Sequence, residues 1–138
     1  MAEAIKIDGL SQFVRNLKKL DSDMPKTLRV GFNAAANIVV DYAKPKVPRK
    51  TGKAAGSIRA QSTGRAVRVT EGGKRAPYMP WLDFGGKIRP KPGQVKSRPF
   101  LKEGRFLYAG LAAKREQVRT VVEAALIDAA RAAGVEVD

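Results

Sequence analysis

Glu71 and Asp83, the two carboxylates in the middle of this sequence, and the serines Ser57 and Ser62 are side chains of types that catalysis uses. Paired carboxylates perform general acid–base hydrolysis when they share a site, and a serine attacks only when a neighbouring base takes its proton. Glu71 and Asp83 fall on different predicted elements, so no such pair is expected. The chain has no histidine, which removes the commonest base near neutral pH and the commonest metal ligand. Lysine is then the one candidate to activate either serine. The run "GKAAGS" resembles a phosphate-cradling glycine loop only on the surface, because it lacks the Gly-Lys-Ser/Thr ending and the buried strand before it. No cysteine is present, so disulfides and thiolate metal sites are excluded. The expectation is a protein that is not an enzyme, with no catalytic, cofactor-binding or metal-binding residues.

Charge is the stronger signal. The formal net charge is +14 in 138 residues. Lys44 to Arg98 holds fifteen basic residues against two acidic ones, and so carries thirteen of the fourteen excess positive charges. Such a field attracts nucleic acid or an acidic protein face and keeps free copies apart. Within it, "PYMPWLDFGGKIRPKPGQVKSRPF" (Pro77 to Phe100) combines four aromatics, five prolines, three glycines and five basic residues. Lysine and arginine suit phosphate contacts, and Tyr78, Trp81 and Phe84 suit base stacking. The aromatics alternate with Met79, Pro80 and Leu82, however, a mixture that favours core anchoring over an exposed stacking platform. No helix-turn-helix, zinc finger or RNA-recognition motif is present.

Elements must position these residues. Length predicts a single domain, 1–138. Residues 1–43 read as a helical part. Asp8 is a candidate cap for a helix carrying Leu10, Phe13, Leu17 and Leu20. Asp23 with Pro25 is a candidate start for a second, whose Leu28, Phe32, Ala35, Val39 and Tyr42 step by 4, 3, 4 and 3. Pro45 and Pro48 end it. Residues 44–100 read as a basic, β-rich part. "SIRAQ" and "RAVRVT" flank a Thr63-Gly64 turn, with Val67 and Val69 on one face and Arg68 on the other. "YMPWLDF" has aromatic strand propensity, confined by Pro80 to an edge, bulge or irregular segment. Residues 85–98 read as an extended loop. Residues 101–138 hold a long helix with Leu111, Val118, Val122, Ala125, Ala129 and Ala132 on one stripe and Gly134 as its stop. The fold class is therefore α+β: N-terminal helices, a small antiparallel sheet with a long loop, and the C-terminal helix packed on the sheet. No apolar run approaches the roughly 20 residues that cross a bilayer, and "MAEAIKIDGL" lacks the apolar core of a signal peptide. Synthesis and use in a cytoplasm, or in something assembled there, is expected.

Three motifs in order resemble a known family: "VPRKTGKAAGSIR", "PYMPWLDFGG" ending in Asp83-Phe84-Gly85, and "SRPFLKEGRFLYAGLAAKREQV" with its Arg-Pro-Phe turn. The family is that of the small neck and tail-completion proteins of long-tailed bacteriophages, which join the head to the tail. The likeness covers Val47 to Gly134, and Gly110 stands where the family pattern has a proline–alanine pair. It implies a structural virion protein of the head–tail junction (neck, tail-completion or tail-terminator ring), assembled in the host cytoplasm. Its partners would be further copies of itself in a ring, commonly of six, together with head-completion and tail-tube or tail-terminator proteins. No membrane and no cofactor is implied.

On that basis Tyr78, Trp81, Leu82 and Phe84 would anchor the sheet to the helices, and Gly85 and Gly86 would let the backbone turn. Lys87, Arg89, Lys91, Lys96 and Arg98 would form a cationic arm toward an adjacent subunit or ring, its return pinned by Arg98-Pro99-Phe100. Protein docking is favoured for most of the basic charge, because a lining that gripped genomic DNA in the channel would hinder ejection. A sequence-independent DNA-binding protein that uses the same basic segment is the alternative.

Overall fold

The computed structural model describes residues 9–20, 23–48 and 52–134. Helix α1 spans Leu10–Leu20 and α2 spans Met24–Ala43. The capping role expected of Asp8 lies outside the described residues. Asp23 does sit at the start of α2, but its side chain makes no capping hydrogen bond there. Its backbone carbonyl instead accepts the N–H groups of Lys26 and Thr27. Pro25 occupies the first turn, where a missing N–H costs nothing. The apolar stripe of α2 is buried at Leu28, Phe32, Ala35 and Val39, with Ala36, Val40 and Ala43 widening it. Pro45 lies in a short 3₁₀ turn, Lys44–Lys46, that closes the helix.

Helix α5, Leu107–Ala132, is the other long element. It lies chiefly along α2 rather than on the sheet, a correction to the expected packing. Strands of two or three residues offer too little apolar area for a 26-residue helix, whereas α2 presents a continuous buried stripe. The approach of the two helices depends on small residues. A Cβ added to Gly31 would stand 2.6 Å from the Cβ of Ala125, closer than carbon atoms pack. Val118, Val122 and Ala129 complete the α5 side of the core. Gly110 is buried within the first turn of α5, facing Val39 and Tyr42.

Between the helices the chain makes α3 (Lys53–Gly56), β1 (Arg59–Ala60), β2 (Val69–Thr70), α4 (Met79–Phe84), β3 (Gly86–Ile88) and β4 (Lys96–Arg98). Strands β1 and β2 pair antiparallel with Ala60 opposite Val69. Their connection is tied by the Thr63 hydroxyl, which accepts the N–H groups of Arg65 and Ala66. Val67 and Val69 are buried and Arg68 is exposed, as strand alternation requires. Two sequence expectations fail in this region. "MPWLDF" is a short helix: Pro80 falls at its second position, where proline's fixed φ favours helix and its ring meets no preceding turn. Residues 85–98 are a β-hairpin and not an extended loop, with Gly86 opposite Arg98, Lys87 opposite Ser97 and Ile88 opposite Lys96. Pro90 and Pro92 fall in its turn, which Gln94 closes by donating its N–H to the Lys91 carbonyl. The class is α+β, with helices dominant and the sheets reduced to two small hairpins.

Candidate functional site

The hairpin β3–β4 carries the cationic residues. Lys87, Arg89, Lys91 and Lys96 are exposed, while Arg98 is half-buried. The Arg98 guanidinium lies 6.0 Å from the centre of the Trp81 ring, within cation–π range. Exposed apolar side chains flank this surface: Val95, Phe100 and Leu101. Trp81 is half-buried and donates its indole N–H to the Gly86 carbonyl at 2.9 Å, fixing α4 to the first residue of β3. Phe84 is half-buried with its ring 5.8 Å from that of Tyr108, and Leu82 packs against the core. Tyr78 is 38% exposed, and Phe100, expected to pin the return of the arm, is 68% exposed, so neither is packed into the core. Tyr78 precedes the first residue of α4 and lines a groove beside Trp81 and Leu82, and Phe100 follows β4 where the chain runs over the surface. The buried residues of α4 are instead Met79 and Asp83.

Gly85 and Gly86 both have positive φ. At Gly85 (φ 84°, ψ −159°) the conformation is one that side chains exclude, and an added Cβ would lie 2.0 Å from the Pro99 carbonyl oxygen. At Gly86 the space is open, so the constraint there is conformational alone.

The residue that the sequence most under-announced is Asp83. It is completely buried in a chain of high positive charge. Its Oδ1 accepts the N–H of Arg105 at 2.5 Å and of Phe106 at 2.8 Å, satisfying donors at the start of α5. An anion at a helix N-terminus also meets the positive end of the helix dipole. The Arg105 guanidinium closes the arrangement, donating to the Asp83 carbonyl at 2.9 Å and to the Pro99 carbonyl at 2.5 Å. Leu101 adds an N–H to the Phe84 carbonyl at 2.8 Å. The two ends of the hairpin and the start of α5 thus meet at one carboxylate.

Glu71 stands beside Asp83, so the two carboxyls expected to lie apart are brought together. Burial pushes the Glu71 pKa up to about 8, and the hydrogen bond to Asp83 and its negative charge push the same way. Among the described residues both Glu71 carboxyl oxygens and Asp83 Oδ2 are buried without a fixed hydrogen-bond donor. One proton on Glu71 supplies that donor, because a neutral carboxylic acid can give its O–H to the neighbouring carboxylate. The signal available in the sequence was that these are the only acidic residues between Lys44 and Arg98.

The serines are structural. Ser57 donates its hydroxyl to the Ala54 carbonyl at 2.6 Å and accepts the Gly72 N–H at 3.0 Å. Ser62 accepts the Arg68 N–H at 3.0 Å, and its own N–H goes to Asn33 Oδ1 at 2.8 Å. "GKAAGS" forms the four-residue α3 after Gly52. Among the described residues no cluster of three potential metal ligands occurs, and no helix is long and apolar enough to cross a membrane.

Residues 11–85, 75 of the 138, match a family model described as "Bacteriophage HK97-gp10, putative tail-component". Neither the curated proteins nor the solved structures gave a match.

Proposed function

Since the chain belongs to the HK97-gp10-like family, phage tail-related structural components of the virion, we propose that it works at the head–tail junction as a non-enzymatic joining ring. In this reading copies of the chain close head to tail around the axis, a heterologous contact that rotation completes. The ring lies between the portal-side connector and the tail tube, and hairpin β3–β4 meets an adjacent subunit or the next ring. The observation that carries the reading is the exposed cationic hairpin of Lys87, Arg89, Lys91 and Lys96 on a chain of this family. Its charges suit an acidic protein face, to which they lend orientation and rate of encounter. The exposed Val95, Phe100 and Leu101 supply the apolar area that such a face would cover.

The decisive experiment is quantitative mass spectrometry of gradient-purified particles after nuclease treatment and a high-salt wash. Retention of a few copies per particle, near a multiple of six, is expected. Loss in salt would favour the rival reading, a charge-held DNA binder, because phosphate contacts weaken steeply as salt rises.

A further inference from the structure

A groove of about 470 Å³ opens where the hairpin meets α4. Trp81, Leu82, Ile88 and Ala54 line it with Pro48 and Pro90, and Lys96 and Arg98 stand at its edge. Its composition is uneven in an informative way. The walls are aliphatic, prolyl and aromatic, but the rim is cationic and belongs to the most basic part of the chain. Arg98 adds a specific donor group: its guanidinium lies over the Trp81 ring at the groove, and among the described residues its Nε makes no hydrogen bond. A carboxylate entering the groove would meet this guanidinium as a charge-assisted partner able to take two parallel hydrogen bonds.

We propose that this groove docks an acidic, apolar segment of a protein partner. One aliphatic side chain of the segment enters between Trp81, Leu82 and Ile88, and an adjacent carboxylate pairs with the Arg98 guanidinium, with Lys96 beside it. Charge complementarity selects this occupant over the others. A second copy, with a net charge of +14, has no excess of carboxylates to offer this rim, so within the ring this groove is left to the protein of the next layer. Nucleic acid would satisfy the rim, yet base edges would lose their hydrogen bonds against Pro48, Pro90, Ile88 and Leu82. The inference rests on the docking role proposed above and gives it a place and a ligand chemistry.

Trp81 is the only tryptophan, so its fluorescence reports on the groove directly. The full chain is titrated with an end-blocked hexapeptide, Glu-Asp-Leu-Leu-Glu-Asp, and with the same peptide carrying Ser-Ser at its centre. Saturable change is expected with the leucine peptide, at least tenfold tighter than with the serine peptide and weakened by added salt. Arg98→Gln should weaken it about tenfold, and Arg98→Lys should restore only part, since lysine returns the charge without the planar pair of donors. Ile88→Ser tests the apolar wall independently, with circular dichroism verifying that each variant is folded. Equal affinity for the two peptides would overturn the proposal, as would displacement of the leucine peptide by equimolar duplex DNA. So would a fluorescence change that follows protein concentration without peptide, which would mean that a second copy fills the groove. Failure here leaves the particle copy number untouched, while absence from particles with peptide binding intact would remove the junction role and keep the groove.

Discussion

The stretch from Met79 to Phe106 contains two regions built on opposite terms. At its neck, Asp83, Gly85, Pro99 and Arg105 are so closely determined that each backbone group has a named partner or a steric limit. Beyond the neck, Arg89 to Ser97 are exposed throughout. The difference separates what holds the fold from what is available to a partner. Most of the basic side chains of this stretch lie on the hairpin, where water screens them, whereas Asp83 is buried with two backbone donors on its Oδ1. Substitutions should therefore divide cleanly, with large stability losses at the neck and almost none along the hairpin.

The largest effect is expected at Asp83. Asp83→Ala strips the acceptor from two N–H groups at the start of α5 and should cost about 4 kcal/mol by chemical denaturation, from about 1–3 for each buried donor left unpaired. Asp83→Asn keeps one acceptor oxygen and should cost clearly less; equal losses would mean that side-chain volume, not the acceptor, matters here. Gly85→Ala comes next, at roughly 3 kcal/mol, from a backbone region nearly closed to side chains together with the clash on Pro99. A thermal midpoint unchanged in this variant would break the idea of a rigid neck.

Glu71 supplies a pH test of smaller size. Its pKa is raised from 4.5 to about 8 in the folded chain, so the folded state keeps a proton that the unfolded state releases. The stabilising share of this group is complete below pH 4.5 and is lost as pH rises through about 8. Water still reaches part of the side chain, so the loss should be about 2 kcal/mol, less than a dry group would show. Glu71→Gln should flatten that slope between pH 5 and 8, read as the difference between the two denaturation series; parallel series would refute the shared proton. Smallest of all is the joint change of Lys87, Arg89, Lys91 and Lys96 to glutamine. Such exposed substitutions usually fall within about 0.5 kcal/mol each, so the unfolding midpoint should hardly move. Head–tail joining in an in vitro complementation assay should fall, and more so as salt rises. Undiminished joining with loss of retained DNA would turn the hairpin toward the channel.

How far the sequence could be read follows the range of the forces involved. Helices α1, α2 and α5 declared themselves because burial repeats every three or four residues over several turns. The concentration of charge between Lys44 and Arg98 was equally plain. Helix α4 was hidden, since six residues are too few to show a period and Pro80 reads as a breaker unless its position in the first turn is known. The hairpin was masked by Pro90 and Pro92, which sit in the turn and leave the three paired residues on each side looking like loop. The meeting of Glu71 with Asp83, and of Asp83 with the start of α5, depends on separations of 12 and 22 residues. No local pattern encodes such contacts. Tyr78 looked like core because aromatics usually are, whereas its position just before α4 leaves it partly exposed at the groove.

The clasp that Arg105 makes across Asp83 and Pro99 has a consequence for how this chain can change over time. A loop whose two ends are already held together adds little entropic cost when it grows, about 0.6 kcal/mol for each doubling of its length. Residues 87–98 can then be lengthened, recharged or replaced without altering the body to which they are fastened. The neck makes the hairpin an exchangeable cartridge on a constant scaffold.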